Sequence, residues 1–231
     1  MVFSEKRTRL TPLSSPLIKG GPRGAPVRGV FLIFCLAFVF SAFTAGCSSG
    51  KAITKKAAYS DSLNKWTRSV TVYEGLEPRL YLNATYKDKT FRDAYTDRYA
   101  EGFELPEAYR SMLLEREAEA SEQYNEFFLT VYSPDEERND LDAKNSVWRL
   151  FLEDSSGARL TPVNVTRLDP ADALLREFFP FFDPWSRAYI VKFPKYSETG
   201  REPIPGSDTV FIKIIVTGLF GKGELVWRLK D

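Results

Sequence analysis

Residues 208–229 read DTVFIKIIVTGLFGKGELVWRL. In the first half, Val210, Ile212, Ile214 and Val216 alternate with Phe211, Lys213, Ile215 and Thr217. Side chains on a strand point to opposite faces in turn, so the first set makes an apolar face and the second a mixed one. ELVWRL, at 224–229, repeats the alternation. Glycines at 218, 221 and 223 separate the two runs, and the turn is expected across Gly221-Lys222-Gly223. GLFGKG lacks the spacing of a phosphate-binding loop and the Ser or Thr that should follow it. The stretch therefore reads as an antiparallel pair of strands.

The same period recurs upstream. WTRSVTVY (66–73) places Trp66, Val70 and Val72 on one face, and RLYLNATY (79–86) places Leu80, Leu82, Ala84 and Tyr86 together. EFFLTVYS (126–133) aligns Phe127, Leu129 and Val131. VWRLFLED and ARLTPVNV flank Ser155-Ser156-Gly157, a hairpin signal, and RAYIVKFP follows at 187–194. Between residues 88 and 124 the apolar spacing changes to three and four. There Phe91, Ala94, Tyr95, Tyr99 and Phe103 mark one helix, with Thr90 and Asp93 as a capping pair. Pro106 opens a second helix, with Tyr109, Met112, Leu113, Ala120 and Tyr124 along its stripe. About eight short strands with turn punctuation predict a mainly β fold, resembling an immunoglobulin-like β-sandwich with an inserted helical hairpin at about 88–124. The resemblance is one of pattern, since the Cys…Trp…Cys spacing of antibody domains is missing.

The N-terminal segment carries processing signals. Six Lys or Arg residues precede VFLIFCLAFVFSAF (30–43), an uncharged run of the length of a secretory h-region and short for a membrane span. Small residues Thr44, Ala45 and Gly46 then lead to Cys47. This order resembles the lipobox of bacterial lipoproteins, although that family prefers an aliphatic residue where Thr44 stands. The resemblance covers the first ~50 residues. It implies cleavage before Cys47, acylation of its thiol and anchoring to a membrane by several acyl chains, which hold where one would bind only marginally. Ser48 after the cysteine implies transfer to the periplasmic face of the outer membrane in a two-membrane cell. The expected organisation is leader and signal peptide at 1–46, a lipidated cysteine and flexible tether at 47–62, and the β domain at 63–231. The tether assignment rests on the small, polar and basic composition of SSGKAITKKAAYSDS.

Composition narrows the function. The leader holds six of the 32 basic residues and one of the 31 acidic ones, so the mature chain carries a net charge of −4. Nucleic-acid binding needs a clustered basic excess, so no nucleic-acid partner is expected. Histidine is absent from the chain, and both cysteines, Cys35 and Cys47, lie in the N-terminal segment. Ser-His-Asp and Cys-His catalysis are thereby excluded, with zinc sites of the His/Cys type, and no cofactor or metal is expected.

Two loops stand out. PDEERNDLD (134–142) gathers acids; Asp135, Glu137, Asp140 and Asp142 would be the calcium ligands if it bound one, but EF-hand spacing is missing and a solvated loop is the expectation. EFFPFFDPW (177–185) sets Phe178, Phe179, Phe181, Phe182 and Trp185 between prolines that prevent regular structure. Such a loop either plugs the end of the domain or presents aromatic anchors to a partner. Three functions compete. The first is a non-catalytic interaction or scaffold module of the cell envelope with an envelope protein partner. The second is a glycan or peptidoglycan binder that stacks sugars on Trp66, Trp148, Trp185 or tyrosines. The third is a hydrolase built on paired carboxylates.

Overall fold

The computed structural model describes residues 50–196, 200 and 203–230, with side chains from residue 55 onward. The chain begins with helix α1 (Gly50–Trp66), strands β1 (Thr67–Glu74) and β2 (Glu77–Tyr86), and helices α2 (Lys89–Gly102) and α3 (Glu107–Gln123). Strand β3 (Tyr124–Tyr132) follows, then β4 (Trp148–Asp154), β5 (Arg159–Leu160), β6 (Asn164–Arg167), helix α4 (Ala173–Phe178), β7 (Arg187–Pro194), β8 (Phe211–Gly218) and β9 (Gly221–Arg228). The strands form two antiparallel sheets, of order β1-β2-β3-β7-β6 and β5-β4-β8-β9. Strand content exceeds helix content, as the alternating runs predict.

Nine strands appear among the described residues where about eight are expected. ARLTPVNV is the source of the difference. Pro162 cannot donate to a ladder, and the run breaks around it into β5, which pairs with β4 in one sheet, and β6, which pairs with β7 in the other.

β3 explains how the layers stack. Its alternation puts Phe127, Leu129 and Val131 on one face and Phe128 and Thr130 on the other, and all five are buried. Phe127 meets Trp227 of β9 at 5.3 Å between ring centroids, so that face joins the two sheets in one core. Phe128 stacks on Phe179 at 3.6 Å, so the opposite face is covered by the aromatic loop after α4. Each buried phenylalanine contributes about 1.5–3 kcal/mol through removal from water.

β1 and β9, the outer strands of the two sheets, approach closely. A Cβ on Gly221 would sit 2.8 Å from the Tyr73 carbonyl oxygen, and one on Gly223 would sit 3.0 Å from methyls of Val70 and Val72. Glycine is required where backbones come this near. The turn between β8 and β9 is therefore not Gly221-Lys222-Gly223. Gly218 pairs with Gly221, and Leu219-Phe220 make the turn. On β8, Ile212, Ile214 and Val216 are fully buried as expected, but Val210 precedes the strand and is half exposed.

The expected flexible tether is a helix over the part of it that is described. Tyr59, Leu63 and Trp66 recur at four and three residues, which aligns them on one face of α1. All three are buried. The Tyr59 hydroxyl donates to the Phe178 carbonyl at 2.6 Å, and the Trp66 indole donates to Thr90 Oγ1 at 2.9 Å. α2 is capped by Asp88, whose carboxylate accepts from the Phe91 amide at 3.0 Å, rather than by the Thr90–Asp93 pair.

Candidate functional site

The two helices of the inserted hairpin pack unequally. α2 buries Phe91, Arg92, Thr96 and Ala100, whereas α3 buries no residue. Between α3 and the outer face of the five-stranded sheet lies a cleft of about 490 Å³, within the size range of small-molecule sites. Phe128 of β3, Ile190 of β7 and Phe179 form its floor. Tyr95, Thr96 and Tyr99 line it from α2, and Tyr109, Leu113, Arg116 and Glu117 from α3. Leu168, Asp172 and Leu175 close the side nearest α4.

A buried charge cluster anchors one end. Glu126, on the β3 face that also carries Phe128, accepts from Lys87 Nζ at 2.5 Å and lies 3.6 Å from Lys192 Nζ. Arg92, 2% exposed, pairs through Nη1 with Glu117 on α3, and its Nη2 stands 4.0 Å from the Glu126 carboxylate without a hydrogen bond. Lys87 also reaches Glu117 at 3.5 Å. Burial opposes ionisation of Glu126, but the charge and hydrogen bond of Lys87, with Arg92 and Lys192, outweigh it and hold the carboxyl below its ordinary range. Burial, aided by the charge of Arg92, pushes the Lys195 ammonium down. The cluster ties α3 to β3 at this end. Arg110, paired with Asp97 at 2.5 Å, ties α3 to α2.

The tyrosines face a different setting. Tyr95 and Tyr99 lie nearly parallel, 12° apart with centroids 6.5 Å apart. Burial pushes the Tyr95 hydroxyl up to about 12, helped by the negative charges of Glu117 and Asp172 nearby, so it is a neutral donor and acceptor at physiological pH. Arg116 enters no ion pair among the described residues, in contrast to Arg92 and Arg110. The cleft therefore offers aromatic faces, uncharged hydroxyls, two carboxylates and one uncommitted guanidinium.

The candidates named from sequence land elsewhere. Phe178, Phe179 and Phe182 are buried and Phe181 is partly so, packed against Tyr59, Tyr95 and Phe128. They plug the domain, which corrects their reading as partner anchors; an anchor must be exposed in the free protein. Of the loop's five aromatics only Trp185 stands out, 79% exposed. Trp66 and Trp148 are buried and offer no stacking surface. In the acidic loop, Asp135 pairs with Arg138 at 2.8 Å and Asp140 accepts from Ser146 Oγ at 2.8 Å. Among the described residues no three acids are grouped to hold a metal ion. Thr44, Ala45, Gly46, Cys47 and the apolar run lie outside the described residues. Among the described residues no helix is long and apolar enough to cross a membrane.

Sequence reasoning missed the cleft. Tyr95, Tyr99, Tyr109 and Leu113 were legible as helix stripes, and a stripe reads as core contact. One signal was present: Glu126 falls in phase with Phe128 and Thr130 on a strand whose neighbours are apolar, marking a buried charge.

No family model matches the chain, and no curated protein matches it. Among solved structures it is similar to a protein of unknown function from Burkholderia pseudomallei, at 9% identity and a TM-score of 0.37, covering 76% of this chain and 84% of that one.

Proposed function

We propose that this chain is a lipid-anchored protein of the bacterial cell envelope whose immunoglobulin-like β-sandwich acts as a non-catalytic binding module, with the cleft beneath α3 as its binding site. The strand order supports the fold assignment. β2-β3-β7-β6 and β5-β4-β8-β9 correspond to the A-B-E-D and C′-C-F-G sheets of that fold, with β1 as an added outer strand. The ordered signal features ending at Cys47 support the anchor and the envelope location.

One observation carries the choice of binding over catalysis. A carboxylate-based hydrolase needs an acid whose proton affinity is raised, so that it can donate near neutral pH. Glu126, the buried acid of the cluster beside the cleft, is instead held ionised by three cations, and Glu117, which lines the cleft, is paired with Arg92. Such a cluster braces a wall; it does not transfer a proton. What remains facing the opening, aromatic rings and neutral hydroxyls with the Asp172 carboxylate and the Arg116 guanidinium at the sides, suits recognition.

The anchor is tested by metabolic labelling with a fatty-acid analogue. Wild-type protein takes the label and Cys47→Ser does not; a labelled serine variant overturns the assignment. Fractionation should place the wild type with outer-membrane markers. Its recovery with inner-membrane markers alone would count against the location.

A further inference from the structure

We infer that the cleft beneath α3 takes a sugar ring bearing a single anionic group, with Tyr99 and Tyr109 meeting the ring and Arg116 meeting the charge. This rests on the reading of the cleft as a binding site and names its ligand class. The chemistry is on its walls. A pyranose presents C–H groups on its faces and hydroxyls at its edge, so a site for it needs flat aromatic surfaces beside hydrogen-bonding groups of both kinds. Tyr99 and Tyr109 come from the two helices that flank the opening, and Tyr109 is half exposed. Tyr109 therefore offers ring surface at the mouth and Tyr99, partly buried against Phe103 and Tyr95, lines the wall beside it, whereas Phe91, Phe128 and Phe179 are buried behind them. The Glu117 and Asp172 carboxylates accept from ring hydroxyls, and the neutral hydroxyl of Tyr95 both donates and accepts.

Charge decides the anionic group. The cations at the base are committed: Lys87 to Glu126 and Glu117, Arg92 to Glu117. Arg116 lines the same cleft with no ion-pair partner among the described residues, and its planar fork suits a carboxylate. An acyl chain is disfavoured because it needs an enclosed apolar tunnel. Here charged residues and tyrosine hydroxyls share the lining.

The test uses the full-length chain, so that every described element is retained. The probes are a disaccharide of N-acetylglucosamine and N-acetylmuramic acid, which bears a carboxylate, and the neutral N-acetylglucosamine dimer. A tyrosine-containing tripeptide and decanoate serve as contrasts. Binding is read by saturation-transfer NMR and calorimetry, and melting temperatures check the fold of each variant. The acidic disaccharide should bind. Tyr109→Ala should weaken it about fivefold or more, as loss of a stacking surface worth roughly 1 kcal/mol requires. Arg116→Gln should weaken the acidic sugar about fivefold while leaving the neutral one unchanged, the signature of a charge contact. Both side chains are at the surface, so melting should barely move. Binding of tripeptide or decanoate alone, lost in Tyr109→Ala, overturns the sugar assignment and leaves the binding-module reading standing. Absence of binding by all four probes, or sugar binding untouched by both variants, overturns the sugar assignment. If Tyr109→Ala also leaves capture of envelope partners unchanged, the cleft itself is not the binding site.

Discussion

The two arms of the inserted hairpin are of similar length, 14 and 17 residues, yet they do opposite things. α2 drives Phe91 and Ala100 into the core and buries a whole arginine beside them. α3 buries nothing and is held by ion pairs, Glu117 to Arg92 at one point and Arg110 to Asp97 at another. The difference teaches that an amphipathic stripe is not a commitment to pack. Where charge contacts brace a helix a short distance from the sheet, its apolar side chains line an opening instead of filling it.

The sharpest way to break the contrast is by truncation on each arm. Phe91→Ala should cost about 3–5 kcal/mol, because a fully buried ring leaves a cavity. Met112→Ala on α3, half exposed, should cost less than about 0.5 kcal/mol. Equal losses in urea unfolding would mean that α3 packs as α2 does.

Next in size is the charge cluster that braces α3. Glu126→Gln leaves Lys87, Arg92 and Lys192 without their shared anion and should cost about 3 kcal/mol at pH 7. The pH dependence has a definite sign. The folded carboxyl sits below its ordinary value of 4.5, so its contribution is fully present above about pH 4.5 and disappears as the pH falls through the lower folded value. Wild-type stability should therefore decline on acidification below that point more steeply than that of Glu126→Gln. Parallel stability curves between pH 7 and pH 3 would show that the carboxylate does not supply the brace.

The smallest expected effect belongs to the aromatic loop. Trp185→Ala should leave the melting temperature nearly unchanged, within about 0.5 kcal/mol, because the ring is already in water. Phe182→Ala, three residues earlier in the same loop and buried, should resemble Phe91→Ala, though milder. A large loss for Trp185→Ala would place that ring in a packed setting.

Much of the β framework was legible because alternation survives wherever a strand has one wet face. RAYIVKFP coincides with β7, and the Ile212, Ile214 and Val216 face points inward as read. What was not legible depends on partners far along the chain. Whether EFFPFFDPW plugs or protrudes is set by Tyr59, Tyr95 and Phe128, none of them near it in sequence. α1 was hidden by composition: its small and basic residues look like linker, and only the spacing of Tyr59, Leu63 and Trp66 betrays a buried face. The cleft had no local signal, since it arises from where α3 stands rather than from what it contains. The strand count slipped at Pro162, where one alternating run serves two sheets.

The contact between Trp66 and Trp227 has a consequence in time. The Trp227 indole donates to the Trp66 carbonyl at 2.7 Å, 161 residues away, and Gly221 and Gly223 let β9 lie against β1 beside it. β1 pairs with β2 beside it in the chain, but its contact with the second sheet forms only when the last strand is available. A contact between positions so far apart must wait for nearly the whole segment and cannot form early. The five-stranded sheet can assemble from residues made earlier, but the seam between β1 and β9 closes last, so the end of the core around Trp66 stays open until the final strand is in place.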